Sequence, residues 1–200
     1  MDINFDIFTL FAVIAGYLLG SIPFGFLLMR VFGHGDIRTT GSGNIGATNV
    51  LRNGQRMLAL LTLILDAAKG IIAIQVALEL GGASAIYPAA LACFLGHLFP
   101  FWLGFKGGKG IATFLGLIVM LSPLTGILFM LCWLILAGIF RYASLASLLS
   151  ILLSLIILAV LGETPTLYVV LAITLLTFYA HRQNIVRLFN GTENSIGQNS

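Results

Sequence analysis

Long apolar stretches separated by short loops constrain this chain more than any other feature, because nearly all of its charge sits in the loops. A helix needs roughly 20 residues to cross the ~30 Å hydrocarbon core of a bilayer. Stretches of that grade cover Phe8–Phe32, Met57–Leu80, Ala83–Leu103, Ile111–Leu121, Leu124–Phe140, Ser144–Leu161 and Thr166–Ala180. Charged residues make up 8% of the chain and hydrophobic ones 59%, against about 25% charged in soluble domains. The expectation is an all-α integral membrane protein, a bundle of about seven transmembrane helices, some of them short. Residues 1–200 then form a single membrane-embedded domain, with 191–200 a polar, flexible tail. The N-terminus does not read as a cleaved signal, because Asp2 and Asp6 replace the basic residues that would begin one. Gly20-Ser21-Ile22-Pro23 softens the first span.

Charge placement sets the expected topology. As one straight helix, residues 110–140 would reach roughly 46 Å, too long without strong tilt. Broken at Ser122-Pro123, they make two short spans that need neighbouring protein or a thinned bilayer at one end. With the break, Arg30, Arg38, Arg52, Arg56, Lys106, Lys109, Arg141, Arg182 and Arg187 fall on one side. Asp2, Asp6, Glu79 and Glu163 fall on the other. The positive-inside rule then puts the N-terminus outside and the C-terminus in the cytoplasm. The net charge of +3 is juxtamembrane charge and does not argue for nucleic acid.

Two loops on the expected cytoplasmic side carry the chemistry. In Gly41-Ser42-Gly43-Asn44-Ile45-Gly46-Ala47-Thr48-Asn49, glycines bare their amides, and Ser42, Asn44, Thr48 and Asn49 add short polar groups. Arg52 and Arg56 follow. Such a run suits an anion, above all phosphate. Lys106-Gly107-Gly108-Lys109-Gly110 is the second loop. It places Lys109 beside the start of the Ile111 span, where a helix N-terminus also favours an anion. The G-x-G-x-x-G match in the first loop is not a dinucleotide site, because a membrane helix precedes it instead of a strand. The second is not a Walker A loop: Gly110 stands where a magnesium-binding Ser or Thr is required.

Other polar residues read as follows. His181 and Asn184, three apart, share a helical face at the end of the last span. Asp66 and Lys69 lie deep in the second span and are expected to pair. His97 is expected to cap the third span through backbone, and His34 with Asp36 reads as structural. Cys93 and Cys132 read as buried thiols, with no disulfide and no metal-ligand cluster. His34, His97 and His181 are followed five residues later by Thr39, Trp102 and Val186, so no His-x-x-x-x-Asp acyltransferase pair exists. A serine–histidine–carboxylate triad lacks a suitable carboxylate, since only Asp36 and Glu193 lie on the loop side.

The chain resembles the bacterial membrane acyl-phosphate:glycerol-3-phosphate acyltransferases. Several motifs, in order, carry the resemblance: Gly20–Gly25, Gly41–Asn49 with Arg52, Leu65-Asp66 with Lys69-Gly70, and Gly96–Pro100. They continue with Lys106–Gly110 and Ala112-Thr113, Arg141–Ser144 with Ser147, and His181 with Asn184. The resemblance implies a cytoplasm-facing site with no metal or other cofactor, lined by Ser42, Thr48, Arg52, Arg56, Gly107, Lys109, Ser147, His181 and Asn184. Gly41, Gly43, Asn44, Gly46, Asn49 and Gly108 complete the expected phosphate-binding set. Also implied is acyl transfer from acyl phosphate to the 1-hydroxyl of glycerol 3-phosphate, giving lysophosphatidic acid in the first acylation of phospholipid synthesis. The expected location is the bacterial cytoplasmic membrane, with lipids as surroundings and no obligate protein partner. A transporter of a small organic phosphate is the alternative that the basic loops also fit, weakened by the lack of repeat symmetry.

Overall fold

The computed structural model describes residues 6–197, so Asp2 and the last three residues of the expected tail lie outside the described part. All of its regular structure in that range is helical. The helices are α1 (Ile7–Gly20), α2 (Phe24–Val31), α3 (Ala47–Arg52), α4 (Arg56–Gly81) and α5 (Ile86–Leu98). They continue as α6 (Ile111–Leu121), α7 (Pro123–Phe140), α8 (Ala143–Leu161), α9 (Thr164–Ala180) and α10 (Arg182–Phe189). Helices α4, α7 and α8 are long and apolar enough to cross a membrane, as is α5 together with the 3-10 turn that follows it. The α1–α2 and α9–α10 pairs reach that length only across bends of 41° and 61°, and α6 is shorter.

The sequence explains most of the ends. Asp6 caps α1 by accepting from the Thr9 amide at 2.8 Å, the ordinary device for a helix start. Pro23 cannot donate, and it opens the break before α2. Pro123 starts α7, where a missing N–H costs nothing, so α6 and α7 separate at the expected Ser122-Pro123. Two expected spans need correction. The first, Phe8–Phe32, is two helices and not one softened helix. The third, Ala83–Leu103, keeps only Ile86–Leu98 as α-helix, with 3-10 turns at Gly82–Ser84 and Phe101–Leu103. Pro100 stops the ladder there, and the Trp102 indole donates to the Ser21 carbonyl at 2.7 Å, tying this turn to the α1–α2 break.

Small residues let the helices approach. A Cβ on Gly116 would sit 1.9 Å from the Ala67 carbonyl oxygen, so α6 lies directly against α4 backbone. Ala12, Ala77, Ala85 and Ala89 form a similar small-residue seam among α1, α4 and α5. In membranes, close backbone packing of this kind replaces the hydrophobic drive that lipid cannot supply. The larger core centres on Phe94, Phe114 and Phe129, with Phe114 and Phe129 edge to face at 4.9 Å between centroids.

Inside this bundle the expected pair forms. The Lys69 ammonium lies 2.8 Å from Asp66 Oδ1, both side chains almost wholly buried. His97 departs from its expected backbone cap, because its Nδ1 meets Lys69 Nζ at 2.9 Å and Thr113 Oγ1 at 3.2 Å.

Gly116→Ala should push α4 and α6 apart and destabilise the bundle by about 1–3 kcal/mol, the usual cost of overpacking. A fall in thermal midpoint in a fixed detergent checks this, and an unchanged midpoint would contradict the packing.

Candidate active site

A cavity of about 490 Å³ opens among α3, α4, α6, α7, α8 and the α9–α10 corner. Its polar part is lined by Ser42, Asn44, Gly46, Thr48, Asn49, Arg52, Arg56, Asp66, His97, Lys109, Ser144, Ser147, His181, Asn184 and Glu193. Its apolar part is lined by Leu60, Leu63, Leu115, Met130, Trp133 and Leu134 among others. Leu60 and Leu134 are each at least half exposed on the outer surface, so the apolar part opens sideways between α4 and α7.

The first loop is held by Asn49, which the sequence reading had counted among the ligand groups. Its Oδ1 accepts from the Ser42 amide at 2.9 Å. Its Nδ2 donates to the carbonyls of Ile37, Thr40 and Asn44 at 2.9–3.1 Å. The Asn49 amide is thereby committed to shaping the loop, although the residue borders the cavity. Gly41 and Gly43 do not line the cavity. Gly41 has φ 56°, and a Cβ there would lie 2.3 Å from Asn49 Oδ1, so glycine is required for the path of the chain. Arg52 donates from Nη2 to the Asn194 carbonyl at 3.0 Å. Its Nε is buried and has no hydrogen-bond partner among the described residues, which leaves a charged donor available at the cavity.

Gly107 and Gly108 also depart from expectation, since neither lines the cavity. Their amides donate to the carbonyls of Leu98 and His97 at 3.0 and 3.1 Å, closing the end of α5. These amides are used, so of this loop Lys109 and Gly110 reach the cavity.

Lys109 is at the head of a chain of alternating charge. Its ammonium donates to Asn184 Oδ1 at 2.5 Å. Asn184 Nδ2 donates to Glu193 Oε1 at 2.6 Å, which fixes the amide with its oxygen toward the cation. Ser144 donates to the same carboxylate oxygen at 2.7 Å, and Arg187 Nε to the other at 2.7 Å. Burial pulls the Lys109 pKa down to about 8; Glu193 opposes this, and Arg187 and Arg52 add to it. Burial works to raise the Glu193 pKa, but hydrogen bonds from Asn184, Ser144 and Arg187 outweigh it and hold it below the ordinary carboxylate value.

His181 stands at the corner between α9 and α10, and its Nδ1 is 2.9 Å from the Thr177 carbonyl. A carbonyl only accepts, so Nδ1 carries the proton and Nε2 keeps its lone pair. Ser147 donates to Ala143 O at 2.7 Å and accepts from Trp133 Nε1 at 2.9 Å. It orients the indole at the boundary between the polar and apolar parts.

Glu193, Ser144 and Trp133 were missed by sequence reasoning. Glu193 lay in the stretch expected to fray; instead residues 191–197 fold back. The Ile196 amide donates to the Arg141 carbonyl at 2.6 Å, and the Arg141 guanidinium donates to the Ile196 carbonyl at 3.2 Å. A polar tail frays only when its groups find no partner, and here three side chains hold Glu193.

The comparison with known proteins bears on this arrangement. The family model described as Glycerol-3-phosphate acyltransferase matches residues 10–191. The chain belongs to the glycerol-3-phosphate acyltransferase family. A relative named glycerol-3-phosphate acyltransferase in Agrobacterium fabrum is 52% identical over 187 residues, covering 94% of this chain and 91% of that one. One in Sinorhizobium medicae is 50% identical, covering 95% and 93%. The fold is similar to crystal structures of PlsY (YgiH), an integral membrane glycerol 3-phosphate acyltransferase. Its glycerol 3-phosphate form gives a TM-score of 0.89 at 40% identity, covering 94% of this chain and 96% of that one. Its lysophosphatidic acid form gives 0.85. Membership of this family accords with a multi-pass membrane protein and with a cavity that joins a polar end to a larger apolar one.

Asn49→Asp keeps the shape of the side chain but turns its oxygens toward three carbonyls. Losing those donations, at about 0.5–1.5 kcal/mol each, should speed hydrogen exchange at the Ser42 amide about tenfold or more. Exchange unchanged from the parent would show that Asn49 does not hold the loop.

Proposed function

We propose that this chain transfers a fatty acyl group from acyl phosphate to the 1-hydroxyl of glycerol 3-phosphate, giving lysophosphatidic acid and inorganic phosphate. One observation carries the reading: a single cavity joins a cationic, hydrogen-bonding end, with Arg52, Arg56 and Lys109, to an apolar trough open to the outer surface of the helices. A water-soluble phosphate and an amphiphile with an acyl tail each find a matching half.

The chemistry needs no covalent acyl-enzyme. An acyl phosphate is a mixed anhydride, already activated. The 1-hydroxyl oxygen of glycerol 3-phosphate attacks the carbonyl carbon, the carbon–oxygen bond to phosphate breaks, and phosphate leaves with that electron pair. The hydroxyl proton passes to the phosphate or to Nε2 of His181, whose Nδ1–H is engaged with Thr177. Arg52, Lys109 and the Gly41–Asn49 loop, through Ser42, Asn44 and Thr48, would hold the phosphate that gains charge. Arg56 and Asn184 would orient the phosphate of glycerol 3-phosphate, while His181 Nε2, an acceptor, would face its 1-hydroxyl. The trough at Leu60, Leu63, Met130 and Leu134 receives the acyl chain, so the chain never enters water.

The loop charges support a site facing the cytoplasm of a bacterial cell membrane, with the N-terminus outside. In this reading the protein works with its two substrates and surrounding lipid, without cofactor or obligate protein partner.

The test incubates purified protein with acyl phosphate and labelled glycerol 3-phosphate. Lysophosphatidate and free phosphate should appear together, in equal amounts. Folded protein that makes neither would overturn the reading, and counterflow of glycerol 3-phosphate in proteoliposomes without turnover would favour a transporter. Parallel reactions with acyl-CoA and acyl-carrier protein settle the donor. His181→Ala separates the two proton acceptors, because near-parental turnover at saturating substrate assigns the proton to phosphate.

The pH profile gives a second check. Lys109 holds an anion only while protonated, and its pKa is pulled down to about 8. The value of kcat/KM for acyl phosphate should therefore be full below that pH and decline as pH rises through it. A profile flat up to about pH 10, the ordinary lysine range, would remove Lys109 from phosphate binding.

A further inference from the structure

We propose that His97, whose side chain borders the cavity and takes no part in the acyl-transfer step above, is a positioning residue for Lys109. Its ring is the seat on which Gly108 rests, and the height of that seat sets where Lys109 presents its ammonium. This deepens the acyltransferase reading and rests on it.

The geometry begins at Lys69. Its ammonium donates to the Ile22 carbonyl at 2.9 Å, lies 2.8 Å from Asp66 Oδ1, and lies 2.9 Å from His97 Nδ1. An ammonium has three donors and no lone pair. His97 Nδ1 must therefore accept, and the ring proton is on Nε2. Thr113 Oγ1 approaches the same nitrogen at 3.2 Å. The ring is thus held in one tautomer and one orientation by α4 and α6, and only 4% of the residue is exposed.

The other edge of the ring meets the second loop. A Cβ on Gly108 would lie 2.2 Å from His97 Nε2, 3.0 Å from Cε1 and 3.1 Å from Cδ2. The loop therefore lies on the ring without space for a methyl group. The neighbour differs: a Cβ on Gly107 would meet the His97 carbonyl oxygen at 2.1 Å, Pro100 Cδ at 2.5 Å and the Leu98 carbonyl oxygen at 2.6 Å. Gly107 is confined by backbone and proline, Gly108 by one side chain. Lys109 comes next, and its ammonium makes the 2.5 Å bond to Asn184 Oδ1. Raising the loop at Gly108 withdraws the ammonium from Asn184 and from the anion it faces.

That difference makes the inference testable by rescue. His97→Asn retains an acceptor near Nδ1 for Lys69 and removes the ring edge under Gly108. Gly108→Ala should lower kcat/KM for acyl phosphate about tenfold or more, the scale of loss for an ångström-sized displacement of a binding group. In the Gly108→Ala/His97→Asn pair the value should return to that of His97→Asn alone. Gly107→Ala should not be rescued by His97→Asn, because its clashes are with carbonyls and Pro100.

Labelling of the Lys109 amine with an acylating reagent, read by mass spectrometry, gives a measure independent of turnover. Lys109 should be protected in the parent, labelled in Gly108→Ala, and protected again in the pair. If Gly108→Ala alone does not accumulate as folded protein, recovery of folded protein in the pair carries the same meaning, and a pair that stays unfolded overturns the proposal. Losses that multiply in the pair overturn it too, as does Gly108→Ala with parental activity and labelling. A parent protein with no acyl transfer but with rescued labelling would instead overturn the acyltransferase reading and leave the seat intact.

Discussion

A lysine ammonium buried in an apolar bundle is the constraint on which the rest depends. A charge at membrane depth costs several kcal/mol unless it is satisfied, and Lys69 is satisfied by groups from three separate places. The α1–α2 break provides the Ile22 carbonyl, α4 provides Asp66, and α5 provides His97. Loss of Asp66 would leave an unpaired charge in the bundle, which is far more destabilising than the pair is stabilising, and loss of either neutral acceptor would leave an ammonium donor unmet. The break at Pro23, the turn at Pro100 and the register of α4 are therefore coupled. The close approach of α6 to α4 at Gly116 brings Thr113 into the same cluster.

Two histidines in this protein carry their protons on opposite nitrogens, each dictated by a neighbour. Lys69 donates to Nδ1 of His97, which leaves the proton on Nε2. Thr177 accepts from Nδ1 of His181, which leaves Nε2 basic. The first ring supports a loop from inside the bundle; the second faces the cavity with a lone pair. Between the loops, Asn184 relays polarity from Lys109 to Glu193, with Arg187 beyond. The binding end is thus an ordered alternation of charge, and its cations are oriented before any anion arrives.

Much of this was legible in the residues. Helices α4, α6, α7, α8 and α9 fall within a few residues of the apolar stretches, because an apolar run bounded by charge has few alternatives in a bilayer. The burial of Asp66 beside Lys69 followed from spacing and depth, and the gathering of Ser42, Arg52, Lys109, His181 and Asn184 followed from placing their loops on one side. Illegible features depend on contacts distant in sequence. Nothing local in Gly191-Thr192-Glu193 says that its carboxylate meets Ser144 and Asn184. Nothing in the glycine loop says that Asn49 serves the loop's own carbonyls, or that the Gly107 and Gly108 amides close α5. A short polar side chain has the same composition whether it faces a ligand or its own backbone; only the fold around it separates the two.

The sideways opening of the trough at Leu60 and Leu134 changes the quantity that governs how full the site is. A molecule that arrives through that side comes from a two-dimensional solution, so its effective concentration is a mole fraction among lipids and not an amount per litre of water. Spreading the same number of donor molecules over more inert lipid would empty the site even though the bulk concentration stays the same. The polar end answers to the aqueous concentration of a soluble phosphate in the ordinary way. One cavity thus reads two phases at once, and its rate depends on lipid area as well as on solute.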